Sequence, residues 1–446
     1  MISVLGDNKR TALVRKNIIF SFLIKGWSCL VMFLMVRLTL DYLGEYQNGV
    51  WLTISSMLVL IDNMDIGLGN GLRNTLATEL AHGNIEKARE AVSTTFFMLI
   101  IVIVPVALIL IGITQGIDVY RFNNVNPFLV PNLETIIVVA IIFICSTFVF
   151  KFIGNFYLGL QLPAANNLLV TCGQTLALAA TFIFYLTTER SLLIVAIVNT
   201  ASPLTVYLLA YPYTFYHKYK NLRPSYKFFN KDRLKGLFSI GVKFFILQIA
   251  GAVIFQTSNI IISKLFTPSA VTPYQISYRY FSLVLLAFSI ICTPYWTATT
   301  DAYERHDFEW IKKSERRMRI IFLLMLVLIS IMTAVSGIVY HVWIGNSTTI
   351  PLYLTIGMGV YFFVLILSLG YSYFLNGMGL LRIQLITTTI SAIIYIPCTY
   401  LGYYVSHNIL SIIVVLILVN LPGLCMNIVQ FRKVVNGTAS GIFLKK

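Results

Sequence analysis

Apolar runs of eighteen or more residues recur along the whole of this chain, and that recurrence limits what it can fold into. A run of that length with few charges crosses a hydrocarbon core of ~30 Å as a helix. Twelve such spans can be marked, near residues 17–40, 49–69, 92–113, 133–158, 167–187, 191–214, 237–262, 272–297, 318–340, 351–375, 380–404 and 408–431. In lipid every backbone N–H and C=O needs a partner inside the structure, which leaves helices or a closed barrel. The runs are continuous and do not alternate, so a barrel is excluded. With 58% hydrophobic and 11% charged residues, a soluble domain could not bury its apolar surface. The expected fold class is an all-α polytopic membrane protein. The apolar run after the polar, basic first sixteen residues is too long for a signal-peptide core and is expected to be the first span.

Lysine and arginine set the orientation. Of 33 such residues, 25 fall on one side of the spans, three (Arg121, Arg190, Lys264) on the other, and five (Lys25, Arg37, Lys151, Lys243, Arg279) within them. The positive-inside rule then places both termini in the cytoplasm. The same bias accounts for the net charge of +16 through topology and lipid headgroup contact, with no need for nucleic acid.

The sequence gives no sign of active-site chemistry. The six cysteines sit singly in apolar runs, the five histidines are scattered, and no metal-ligand spacing occurs. The outward loops are short, the longest near 114–132. No catalytic residue, metal or cofactor is expected.

A weak repeat divides the chain. Tyr46-Gln47 recurs as Tyr274-Gln275, Asn84–Arg89 as Asp307–Lys312, and Phe156–Gly159 as Tyr373–Asn376, in the same order and six spans apart. An even offset gives two parallel six-helix halves about an axis along the membrane normal, as in many transporters. The expected lobes are 1–221 and 222–446, joined by a basic linker near 216–236. The segments at 84–89 and 307–312 are expected to be short amphipathic helices on the cytoplasmic surface.

Ionisable groups inside a span cost roughly 2.5–3.5 kcal/mol on insertion scales and normally face a bundle interior or a wet cavity. Span one carries Lys25 between Ser21 and Ser28. Span four has Lys151 and Asn155, and span five has Asn167, Thr171 and Gln174. Span seven has Lys243, Gln248, Gln256 and Asn259, and span eight has Arg279 one turn after Gln275. Lys25 and Arg279 are the deepest cations, and isolated cations suit a phosphate-bearing anion. Asp62 and Asp65, at the exit of span two, read equally as coupling or gate residues and as braces for the glycine turn that follows. The span-seven stripe reads equally as cavity wall and as helix–helix adhesive.

Tyr42-Leu43-Gly44, Asn48-Gly49-Val50-Trp51 and Asp65-Ile66-Gly67-Leu68-Gly69-Asn70-Gly71, followed by Asn74 and Ala77, resemble the N-terminal signature of bacterial polysaccharide transporters. These are the Wzx-type lipid-linked oligosaccharide flippases, in the superfamily that includes the multidrug and toxin extrusion proteins. Phe374-Leu375-Asn376-Gly377-Met378-Gly379 is similar to that group's tenth-span ending. The resemblance implies two lobes around a V-shaped central cavity in the bacterial inner membrane. It implies an undecaprenyl-pyrophosphate-linked O-antigen or capsule repeat unit carried to the outer leaflet by alternating access, driven by a proton or sodium gradient. It also implies a polysaccharide polymerase and a chain-length regulator as partners. Related peptidoglycan-precursor flippases line the cavity with cations in spans one and eight, which match Lys25 and Arg279. A cation-coupled drug exporter of the same fold, and less readily a membrane polymerase or ligase, remain as alternatives.

The orientation can be tested with reporter fusions. Reporters after residue 446 and in the 216–236 connection should read cytoplasmic, and a reporter near residue 125 should read outside; the opposite pattern would overturn the topology.

Overall fold

The computed structural model describes residues 7–62, 68–160, 162–230, 251–254 and 256–444; side chains of 7–19 and a few later positions, Asp62 among them, lie outside that description. The long helices run α1 (Asp7–Asp62), α2 (Leu68–Ala81), α3 (Ile85–Gly116), α4 (Val119–Asn123), α5 (Leu133–Phe150), α6 (Phe152–Gly159), α7 (Pro163–Thr187) and α8 (Leu192–Pro212). The helical residues 251–254 and 256–265 are α9. It is followed by α10 (Pro268–Glu304), α11 (Phe308–Ile344), α12 (Leu352–Gly377), α13 (Arg382–Ser406) and α14 (Leu410–Val435). Among the described residues, ten helical stretches are long and apolar enough to cross a membrane. The first of them holds spans one and two, which run through one helical stretch broken at Gly44. Gly44 has φ 74°, a conformation that glycine adopts without the Cβ clash other residues meet.

The chain separates into two compact units, Met1–Phe245 and Ile246–Lys446. In the first, α5 and α6 form the central span, packed by α3, α8 and α7. Their junction is an aromatic cluster: Phe152 stacks on Phe215 at 5.6 Å and meets Phe96 at 4.9 Å. In the second, α12 is central, packed by α10, α11 and α14, and Tyr361, Phe362 and Phe374 are fully buried along it. The two units use the same neighbour pattern: the fourth helix of each packs on the third and the sixth, and the fifth packs on the sixth.

The repeat is visible in backbone geometry. Before α3, Gly83 has φ 75° and the Asn84 N–H donates to the Glu79 carbonyl. Before α11, His306 has φ 58° and the Asp307 N–H donates to the Ala302 carbonyl. The caps match as well, at φ −82°, ψ 74° for Asn84 and φ −83°, ψ 70° for Asp307. Two expectations change here. The segments at 84–89 and 307–312 are not separate surface helices; each is the first turns of a spanning helix, because no glycine or proline interrupts the chain before the apolar run. At 37 residues, α10 and α11 are each about 55 Å long and extend past a ~30 Å core. The third echo shifts by one residue, so that Phe156 pairs with Phe374 and Gly159 with Gly377. Both glycines lie against a backbone carbonyl: a Cβ at Gly159 would sit 3.1 Å from Arg73 O, and one at Gly377 2.7 Å from Trp296 O.

The connection at 216–236 is, over its described part, no free linker. Five aromatic residues between Tyr216 and Phe229 give it surface to bury. The Ser225 N–H donates to Ser93 Oγ, the Asn230 N–H donates to Thr94 Oγ1, and Tyr226 and Phe229 both meet Phe97 of α3. Arg89 donates to the Arg223 carbonyl and lies 4.2 Å over the Phe228 ring. The strand of chain up to Asn230 is therefore strapped to the first unit.

Gly377 tests the close approach. Gly377→Val must displace a backbone carbonyl and should cost roughly 1–3 kcal/mol, read as a lower thermal midpoint of the purified protein. Gly337→Ala, which meets nothing within 4 Å, should leave the midpoint unchanged or raise it.

Candidate functional site

In the first unit the polar stripes of spans one and five meet in register. Ser28 Oγ donates to Gln174 Oε1 at 2.5 Å, and the Tyr42 hydroxyl bonds Thr188 Oγ1 at 2.7 Å; both pairs are 146 residues apart. Trp27 Nε1 adds a bond to Thr175 Oγ1 at 3.0 Å. A constant spacing over fourteen residues means that α1 and α7 run parallel without slipping. The same spacing sets Lys25 level with Thr171 and Ser21 level with Asn167. Lys25 is exposed, Thr171 is buried, and Gln174 is exposed. Among the described residues no hydrogen bond or ion pair engages the Lys25 ammonium. The helix pair thus presents one free cation beside a strip of hydroxyl and amide groups, which can bind an anion and its polar substituents together.

Lys151 and Asn155 lie on another element. Lys151 is the junction between α5 and α6, with its N–H on the Thr147 carbonyl and its own carbonyl accepting from Gly154 N–H. Span four is therefore a jointed helix, and Lys151 and Asn155, one turn apart, are both half-buried at the joint. The Asp62 side chain and the whole of Asp65 lie outside the described residues.

In the second unit Arg279 is half-buried on α10. Its neighbours are committed to packing: Tyr278 meets Phe362 of α12 at 5.2 Å, and the Tyr280 hydroxyl donates to the Met332 carbonyl of α11. One turn earlier, Gln275 Nε2 donates to Asn259 Oδ1 of α9 at 2.7 Å. Asn259 is 2% exposed, so its amide fastens α9 to α10. Gln256, three residues earlier, is half-buried. Lys243 and Gln248 lie outside the described residues. The Arg279 guanidinium has no hydrogen-bond or ion-pair partner among the described residues.

The charge inventory of this unit sharpens that observation. All five of its carboxylates fall between Asp301 and Glu315, in and beside the basic connection, and none follows to Lys446. Arg279 lies on α10 well before the first of them. Glu315 itself is buried at 6% exposure, where it accepts from Arg319 Nε at 2.7 Å and from the Tyr371 hydroxyl at 3.0 Å. This triad joins α11 to α12 and was not singled out from sequence, although Glu315 and Arg319 at i, i+4 were a visible signal. Among the described residues no group of His, Cys, Asp and Glu could hold a metal ion.

Residues 14–298 match the family described as polysaccharide biosynthesis protein. No curated protein matches the chain. Solved structures match over its length. One, described as the inward-facing conformation of a multidrug resistance MATE family transporter of the MOP superfamily, is 14% identical with a TM-score of 0.79, covering 92% of this chain and 95% of that one. The outward-facing conformation of a transporter of that family gives 0.65 at 15% identity, covering 97% of each chain. A MOP superfamily transporter from Pyrococcus furiosus, described as having a binding pocket of reverse polarity, gives 0.67 at 15% identity and 98% of each chain. At these identities the structures speak for the fold, and the matched sequence speaks for the family. The chain belongs to the polysaccharide biosynthesis protein family, built on the twelve-helix, two-lobe fold of the MOP superfamily transporters.

Proposed function

We propose that this transporter is a flippase for an undecaprenyl-pyrophosphate-linked oligosaccharide, an O-antigen or capsule repeat unit, which it moves from the cytoplasmic to the outer leaflet of a bacterial inner membrane. The observation that carries the reading is Arg279: a guanidinium within a span, with no hydrogen-bond or ion-pair partner among the described residues, in a unit whose five carboxylates all lie between Asp301 and Glu315. A buried cation needs an opposite charge, and a diphosphate supplies one in the forked geometry that arginine binds best. Lys25 offers a second cation beside the Ser28, Thr171 and Gln174 strip, which suits the hydroxyls of a sugar. A carrier for cationic drugs would call for carboxylates along its spans, and this unit has none before Asp301 or after Glu315. Outward movement of negative charge is also favoured by an inside-negative potential, by ~2.3 kcal/mol per charge per 100 mV. If a proton or sodium gradient drives the cycle through a carboxylate, Asp62 and Asp65 are the candidates.

The test is leaflet accessibility of lipid-linked repeat units in a strain lacking the chromosomal copy and complemented with variants. Arg279→Ala removes a charged contact worth about 1.5–3 kcal/mol, so transport should fall roughly 10–100-fold. Arg279→Glu should abolish it, and Arg279→Lys should keep part of it. Lys25→Ala should give a smaller loss, with membrane insertion unchanged in every case. Full transport by both alanine variants, or no cytoplasmic accumulation in the deletion strain, would sink the proposal.

A further inference from the structure

The matched turns before α3 and α11 fix a residue-by-residue equivalence, Asn84 with Asp307 and onward. Along this register the buried positions coincide: Ala88 with Ile311, Ala91 with Ser314, Val92 with Glu315, Thr95 with Met318 and Leu99 with Phe322. Within these turns the register breaks where the strap lies. Ser93, Thr94 and Phe97 are covered by the 222–230 strap, through two hydrogen bonds and two ring contacts. Their equivalents Arg316, Arg317 and Ile320 are exposed. The segment that trails the second unit goes elsewhere: the turn Gly441–Leu444 packs on α13 and α14, with the Phe443 carbonyl accepting from Gln430 and Lys433 over the Phe443 ring.

The open patch also has a different chemistry. The strap in the first unit meets neutral hydroxyls and a phenyl ring. The patch on α11 presents Lys313, Arg316 and Arg317, none with a hydrogen bond or ion pair among the described residues. Below them the same helix runs on as an exposed apolar face through Ile320, Leu323, Leu324 and Val327. The occupant that complements both halves is anionic at one end and hydrocarbon at the other.

We propose that this face of α11 is a binding site for an anionic phospholipid of the cytoplasmic leaflet, the phosphate held by Arg316 and Arg317 and the acyl chains laid along Ile320 to Val327. Basic residues at the cytoplasmic end of a span attract anionic headgroups in general. The site claimed here is more local, because it fills the position that the first unit covers with its own chain.

The full-length protein, reconstituted in phosphatidylcholine nanodiscs, would be titrated with phosphatidylglycerol, phosphatidylethanolamine or inorganic phosphate and read by native mass spectrometry. Phosphatidylglycerol should bind in preference to phosphatidylethanolamine. Arg316→Gln with Arg317→Gln should weaken phosphatidylglycerol binding about tenfold while the lipid-free thermal midpoint stays unchanged. Arg382→Gln, an exposed cation on another helix of the same lobe, should have no effect. Ile320→Ser with Leu324→Ser should also weaken lipid binding, and this pair carries the test if the glutamine pair does not purify. Unchanged binding in the tested pair, equal loss in Arg382→Gln, or displacement of the lipid by millimolar inorganic phosphate would overturn the site.

Discussion

A polar group carried into hydrocarbon without a partner costs several kcal/mol, and the joints of both lobes follow from that constraint. Apolar helices in lipid have little hydrophobic reason to associate, so small residues and hydrogen bonds decide where they touch. Ser28–Gln174 and Tyr42–Thr188 set the register of α1 on α7. Gln275–Asn259 and Ser258–Tyr395 hold α9 to α10 and α13, and Asn427–Ser372 holds α14 to α12. Where no side chain bonds across, the backbones close up, as at Gly159 and Gly377. Each lobe is thus pinned at a few polar or glycine contacts and greased elsewhere, a construction in which a helix can tilt without emptying a core.

Two lobes with one plan have come to differ in charge. The first keeps acids and bases within its spans, a joint at Lys151 and a strap over α3. The second keeps an unbroken central helix, Arg279 within a span, and an α11 exposed where α3 is covered. Shared topology follows from shared packing, while the differences fall at positions that packing does not need. Glu315 shows the boundary between the two. Its equivalent Val92 is buried too, so the position is structural, but the carboxylate requires Arg319 and Tyr371 to be held there.

The fold was legible because span length and hydropathy are summed over twenty or more residues and survive local error. The pseudo-symmetry was legible because Tyr46-Gln47 and the turns at Asn84 and Asp307 repeat short polar patterns against an apolar background. Helix continuity was not: nothing in Asn84–Arg89 says whether the amphipathic turn lies on the membrane or enters it, since both uses bury one face. The strap was missed for a related reason, because its lysines and arginine read as a basic loop and hid the five aromatics that dock it. Polar stripes were visible on spans one and five separately. That they face each other is a contact between distant segments, which periodicity along either helix does not encode.

Lys25 and Arg279 differ in what their surroundings demand. A lysine in an apolar place can release its proton and become neutral, and Lys25 in any case is exposed on its own lobe. A guanidinium keeps its charge across the physiological range and has five donors and no acceptor, so it cannot relieve burial by titrating. Arg279 is flanked by tyrosines that pack on α11 and α12; one turn before it Gln275 is tied to Asn259, and one turn after it Ser282 Oγ donates to the Arg279 carbonyl. Among the described residues none hydrogen-bonds or ion-pairs with the guanidinium. On the reading proposed above, the anionic substrate is what satisfies such a group.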